Sequence, residues 1–281
     1  MSTAVFLAVL AAAAMHASWN ALLKVRGDRF VTVSLMSVGS GLVMLPLAPF
    51  VSVPAGETWG WLAASLVFHT GYKYYLARAY ETGDLALAYP LARGTAPLLA
   101  TAGGALFLAE IPGTVAISGI FLLSCGVFLM SFRGSRALGA YHGRSVFFAL
   151  VTSVFIAGYT LTDGSGARSA ADATSYAVWL FMGDGLWSLA FCVLLRGPKA
   201  LTVMVGEWKV GLVGGFLSAV AYWIAMWAMT KAPIATVGAL RETSILFAMA
   251  LSTFALGERL TRWRVAAGLL IVGGVVALRF G

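Results

Sequence analysis

The feature that most constrains this chain is the recurrence of apolar runs about twenty residues long. The first, TAVFLAVLAAAAMHASWNALL, fills residues 3–23. A helix needs about 20 such residues to cross the hydrocarbon core of a bilayer. Further runs follow at 30–50, 59–79, 85–108, 113–132, 145–163, 175–195, 209–229, 234–256 and 263–280, separated by short loops rich in Gly, Pro and charge. Within lipid the backbone must satisfy its own hydrogen bonds, so each run reads as a helix. The expectation is an all-α integral membrane protein of ten transmembrane helices. Only 11% of the 281 residues are charged and 60% are hydrophobic. A soluble domain carries about a quarter charged residues, so no water-facing domain of useful size is left over. The N-terminal run has no basic segment before it and reads as a first span, not a cleaved leader. Cys125 and Cys192 fall inside apolar runs and read as small buried hydrophobes.

The formal charge of +8 does not point to nucleic acid, because most of the basic residues sit in the loops. Loops after odd-numbered spans hold thirteen Lys and Arg; even loops and the C-terminus hold Arg168, Lys231 and Arg279. Positive loops stay in the cytoplasm, which puts both termini outside. The longest connection, FRGSRALGAYHGR at 132–144, divides the spans five and five.

The halves share a pattern. LARGTAPLLATAGGALFLAE ends at Glu110 and ALRETSILFAMALSTFALGE at Glu258, an offset of 148 that carries Arg93 onto Arg241 and Thr95 onto Thr243. A weaker match at offset 140 sets Trp19-Asn20 against Tyr159-Thr160. Two halves with an odd number of spans lie in opposite orientations. That is an inverted repeat, with a site expected near the midplane between the halves. The domains read as 1–132, a basic linker at 133–144, and 145–281.

These residues resemble the EamA family of the drug/metabolite transporter superfamily, over nearly the whole chain. The likeness lies in GTAPLLATAGGALFLAEIPG and in TSILFAMALSTFALGERLTRWRVAAGLLIVGGVVAL. The second half has the family's GERL turn at Gly257–Leu260; the first departs from it with Ala109-Glu110-Ile111-Pro112, and the helix proline Pro97 faces Ile245. The resemblance implies ten spans in two EamA repeats and secondary transport of a metabolite, in the inner (cytoplasmic) membrane of a bacterium. It does not fix the substrate. The MHASWNALLK opening also looks like a subgroup associated with phosphonate utilisation.

An ionisable side chain at the bilayer centre costs at least about 2.5–3.5 kcal/mol and usually faces a cavity or a partner. Arg93 and Arg241 stand near the middle of the fourth and ninth runs. A guanidinium stays charged and offers a planar fork to carboxylate or phosphate, so the pair reads either as two anion clamps or as members of ion pairs with Glu242 or Asp184. His69 and Lys73 share a face at i and i+4, with Tyr72 and Tyr80 near it. They read as a cavity wall, unless Lys73 extends to the interface. His16 and Asn20 are likewise i and i+4, with Trp19 between them. His16 is a helix-to-helix hydrogen bond or a proton carrier. Tyr159 and Thr160, at the repeat-related place, read as polar lining, and Tyr222 and Trp223 either stack on an organic substrate or are core or interfacial aromatics. Pro90, Gly94 and Pro97 interrupt the fourth run as a hinge, and Gly238 interrupts the ninth weakly. Gly119, Gly126, Gly268, Gly273 and Gly274 read as packing faces of a scaffold. Lys73, Arg93 and Arg241 against Asp184 and Glu242, with Asp163 close to a span end, leave the midplane slightly positive, which favours an anionic or zwitterionic substrate such as an amino acid or related organic acid.

No GxxxxGK[ST] and no HExxH motif occurs. No cofactor and no metal are expected, and the partners are a small molecule and the bilayer, with proton coupling open and a monomer the default unit. An intramembrane enzyme or a non-transporting receptor is the alternative reading.

Overall fold

Hydrogen-bond closure within lipid predicts helices throughout, and a computed structural model of the chain is helical throughout, with no strand among the described residues. It describes residues 1–23, 28–82, 85–134, 143–256 and 260–281. Most of the central linker, the loop bases Lys24 and Arg26, and Gly257–Arg259 of the GERL turn lie outside them, as does the Tyr80 side chain.

The helices are α1 (Thr3–Leu23), α2 (Arg29–Met44), α3 (Thr58–Thr82), α4 (Leu85–Phe107), α5 (Thr114–Gly134), α6 (Gly143–Ser169), α7 (Ala173–Arg196), α8 (Lys199–Gly206), α9 (Trp208–Met229), α10 (Ile234–Arg241), α11 (Ser244–Leu256) and α12 (Arg262–Phe280). Among the described residues, seven stretches are long and apolar enough to cross a membrane: α1, α2 with its 3-10 extension, α6, α7, α9, α10 with α11, and α12. The run at 30–50 is α-helical only to Met44. Pro46 and Pro49 lack the N–H groups an α-helix needs, and Leu45–Phe50 tightens into a 3-10 helix. The loop after α7 contains a helix that the sequence reading did not foresee. Gly197 at φ 75 turns the chain and α8 follows, with Ala200 and Met204 buried and Val203 and Val205 exposed. The ninth run breaks after Arg241, not at Gly238, which lies inside α10.

The helices run up and down. The chain ends meet on one face, where Arg279 donates to the Met1 carbonyl (2.8 Å) and to Thr3 (2.7 Å). On the opposite face Arg196, at the end of α7, pairs with Asp28 at the start of α2 (2.8 Å). Helix pairs pack through small residues, as expected where lipid removes the hydrophobic drive between helices. A β-carbon on Gly39 of α2 would stand 2.0 Å from the Gly211 carbonyl oxygen of α9, and one on Gly41 2.9 Å from that of Phe181 in α7. Gly119 and Gly126 of α5 press against α12, as does Gly274 from the other side. Gly268 faces α11, and Gly273 faces open space. Outward faces are apolar, with Phe121, Phe216, Leu269 and Phe254 among the exposed side chains.

Candidate functional site

Polar side chains from seven helices converge halfway through the bundle around a cavity of about 80 Å³. His16 and Trp19 come from α1, Ser37 and Ser40 from α2, and His69, Tyr72 and Lys73 from α3. Tyr159 of α6, Asp184 of α7, Tyr222 of α9 and Arg241 of α10 complete the polar wall. The volume equals two to three waters at roughly 30 Å³ each.

Lys73 does not extend to the interface. It is buried and gives its ammonium to both Asp184 oxygens (2.7 Å each) and to Ser188 (2.6 Å). Arg93 is 2% exposed and does not reach the cavity. Its Nε donates to Glu242 at 2.8 Å, while its Nη2 has no hydrogen-bond partner. The chain is turning at Glu242 and Thr243, between α10 and α11, through hydrogen bonds from Glu242 N to Ala239 O and Thr243 N to Leu240 O. That turn sends consecutive side chains apart: Glu242 reaches α4, and Arg241 reaches the cavity.

Arg241 has no ion pair among the described residues. Its guanidinium lies 4.5 Å from the centre of the Tyr222 ring. Two weaker influences make an unpaired cation tolerable there. The ring face attracts it, and it occupies the last turn of α10, where the helix carries partial negative charge.

His16 accepts a hydrogen bond at Nδ1 from the Trp19 indole (3.2 Å). An indole N–H only donates, so His16 is neutral in this arrangement. Asn20 donates to the His16 carbonyl (2.8 Å), within α1. Tyr159 stacks on His69 at 4.3 Å and meets Tyr72 edge-on. Trp223 is turned away from the cavity and donates to Thr174 (3.2 Å). Of the hinge candidates, Pro90 and Pro97 lie inside an unbroken α4, and Gly94 lets Phe128 of α5 approach.

Three features escaped sequence reading. Asp163 was read only as a residue near a span end, yet it is completely buried and accepts from Tyr222 (2.6 Å) and Tyr176 (3.1 Å), with His69 Nε2 at 2.9 Å. Tyr176 gives no signal, because its partner lies on another helix. Glu110 was noted only as the end of a repeat. It pairs with Arg168 (3.0 Å) and accepts from the Ile234 amide (2.9 Å), capping α10. No three His, Cys, Asp or Glu side chains among the described residues stand together as a metal site.

The EamA-like transporter family model matches residues 143–280. That domain spans α6 to α12 and points to a membrane protein of the drug/metabolite transporter type. A crystal structure described only as that of a protein is similar over 100% of this chain and 98% of that one, with TM-score 0.78 and 17% identity, a likeness of fold alone. No curated protein matches the chain.

Proposed function

We propose that this chain is a secondary transporter of a small anionic or zwitterionic metabolite, such as an amino acid or related organic acid. The observation that carries the reading is Arg241, a buried cation on the cavity wall without a carboxylate partner. Lys73 and Arg93, the other cations at this depth, each have one. A substrate carboxylate or phosphonate would replace the water around the Arg241 fork. Tyr159, Tyr222, Tyr72, His69 and Trp19 form an aromatic wall suited to the organic part or to an ammonium group, with His16 and Lys73 on the same cavity and Asn20 bonded to the His16 carbonyl. Arg93 and Glu242 hold the turn that aims Arg241. EamA members are transporters, not enzymes.

In this reading the chain crosses the membrane ten times as two inverted five-helix repeats and works by alternating access. Helix packing supports the repeat. The contact of α3 with α6 is matched by that of α1 with α9, and the contact of α4 with α6 by that of α1 with α10 and α11. Exchanging the halves also maps α2–α7 and α5–α12 onto themselves. The unit is a monomer in the inner membrane, with both chain ends outside.

The test compares thermal unfolding of the purified wild type and Arg241→Gln with L-aspartate, L-alanine, methylphosphonate, glucose, UDP-glucose and tetraphenylphosphonium. A ligand of the folded state raises its melting temperature. An acid or zwitterion that stabilises the wild type and not the variant supports the reading, and should enter liposomes carrying the wild type. Stabilisation by the cation alone, or equal response of the variant, overturns it.

A further inference from the structure

Asp163 has no part in the anion reading. It is fully buried in α6, yet among the described residues no Lys or Arg pairs with it. An isolated carboxylate in an apolar interior is costly unless it is paired or neutralised. Its counter-charge is His69, at 2.9 Å, an imidazole that is charged only when protonated. The hydroxyls of Tyr176 and Tyr222 occupy the rest of the carboxylate.

The placement of these four groups is more telling than their chemistry. His69 and Tyr222 line the central cavity. Tyr176 lines a second cavity of about 90 Å³ with Ser52, Pro54, Thr58, Ser169 and Ser175, towards the face that holds the chain ends. Asp163 therefore lies between two cavities and is hydrogen-bonded to a wall residue of each.

We propose that Asp163 and His69 form a proton-binding site that exchanges protons with both cavities and is linked to anion binding at Arg241. Without the extra proton the pair is Asp⁻ with neutral His, net charge −1. Uptake of one proton by His69 makes the pair neutral, Asp⁻ with His⁺. No bond other than to hydrogen forms or breaks. Tyr222 bridges the two sites, since its hydroxyl donates to Asp163 and its ring supports the Arg241 guanidinium. The unprotonated pair offsets the charge of Arg241; the protonated pair does not, and leaves it free for an anion. Proton and anion thus favour each other's binding, reciprocally, and cross in the same direction. The link to Arg241 rests on the proposed function; the proton site does not.

The other charged groups around Asp163 are accounted for. On α3, Lys73 is held by Asp184 of α7. On α4, Arg93 is held by Glu242, with Tyr89 beside it. Tyr159 on α6 stacks on His69, and Arg241 on α10 lies beyond Tyr222.

The experiment needs no ligand. The chain has three histidines, so ring resonances of the full-length protein, labelled at histidine, can be followed against pH and assigned with His69→Gln. His69 should titrate. In Asp163→Asn its midpoint should fall by about 1–3 pH units, the effect of losing an adjacent opposite charge. In Tyr222→Phe, which keeps the ring and removes one donor to the carboxylate, the midpoint should rise; this variant serves if Asp163→Asn does not fold. In Arg241→Gln it should also rise. A His69 that never changes charge, or a midpoint indifferent to both Asp163→Asn and Tyr222→Phe, overturns the proton site. A midpoint indifferent to Arg241→Gln alone overturns the link, and a failed anion screen leaves the proton site standing.

Discussion

Arg93 sits inside an unbroken helix, α4, and Arg241 ends a short one, α10, although the two lie at matching places 148 residues apart. The helix with two prolines is the continuous one. The run without them turns at Glu242–Thr243, and this turn separates the fates of the two arginines. In α4 the guanidinium finds a carboxylate and is sealed in protein. At the end of α10 the neighbouring carboxylate is drawn away towards Arg93, and the guanidinium is left to the cavity. One half thus spends its charge on an ion pair, and the other leaves its charge on the cavity wall. The comparison teaches that repeat symmetry in sequence need not mean two copies of one arrangement: Glu242 pairs with one arginine at the turn where the other meets the cavity.

The largest effect should follow from breaking the paired arginine. Arg93→Ala leaves Glu242 buried without a partner, which costs about 3–5 kcal/mol and should lower the melting temperature sharply. Arg93→Ala with Glu242→Ala should recover a large part of that loss, because two residues in contact are not additive. If Arg93→Ala unfolds no earlier than wild type, the pair does not hold the turn and the contrast between the arginines fails.

Arg241→Gln should do the reverse. It removes an unpaired charge from the interior, so stability should stay within about 1 kcal/mol of wild type. Ligand affinity should fall about ten- to a hundredfold, the loss of a charge-assisted hydrogen bond worth about 1.5–3 kcal/mol. Titration calorimetry with the compound found in the thermal screen measures it. A large stability loss with affinity intact would make Arg241 the structural member.

Much of this was legible beforehand, and the limits were physical. The apolar runs marked the helix bundle because length and hydropathy are local properties. The seven apolar stretches that meet the membrane criterion fall on runs read in advance. His69, Tyr72 and Lys73 stand within five residues of α3 and line one cavity, to which Tyr159 comes from α6. What stayed hidden depended on residues far apart in sequence. Nothing local tells Lys73 that Asp184 will be its partner, 111 residues on. The turn at Glu242 has no proline or glycine to announce it. Asp163 lay close enough to a run's end to pass as interfacial, and only the tyrosines of α7 and α9 show that it is buried.

A carboxylate outside the bundle interior gives a reference for Glu242. Asp172 caps α7, accepting from the amides of Thr174 (2.7 Å) and Ser175 (3.0 Å) and from the Ser175 hydroxyl (2.7 Å). Burial pushes this carboxyl up, but those hydrogen bonds together hold it below its ordinary 3.8. Its contribution is therefore complete above pH 3.8 and lost as pH falls through the depressed value. Asp172→Ala should cost about 1 kcal/mol at neutral pH, the usual worth of an N-cap, and the difference from wild type should shrink in acid unfolding series. A cost matching that of Arg93→Ala would mean the interior pair is no more than another surface contact.

The smallest test uses the matching threonines. Thr95 donates to the Leu91 carbonyl (2.9 Å), one turn back in a continuous helix, where that carbonyl can also take a backbone bond. Thr243 donates to Leu240 (2.8 Å) at the turn itself, where helical bonding is giving out. Both hydroxyls are local, but only the second lies where α10 changes direction. Thr243→Ala should cost about 0.5–1.5 kcal/mol, a typical net hydrogen bond, and should weaken ligand binding by loosening the direction of Arg241. Thr95→Ala should be close to neutral on both counts. If the two substitutions behave alike, the turn is set by packing around Glu242 and not by its own hydrogen bonds, and the difference between the halves resides in that one carboxylate.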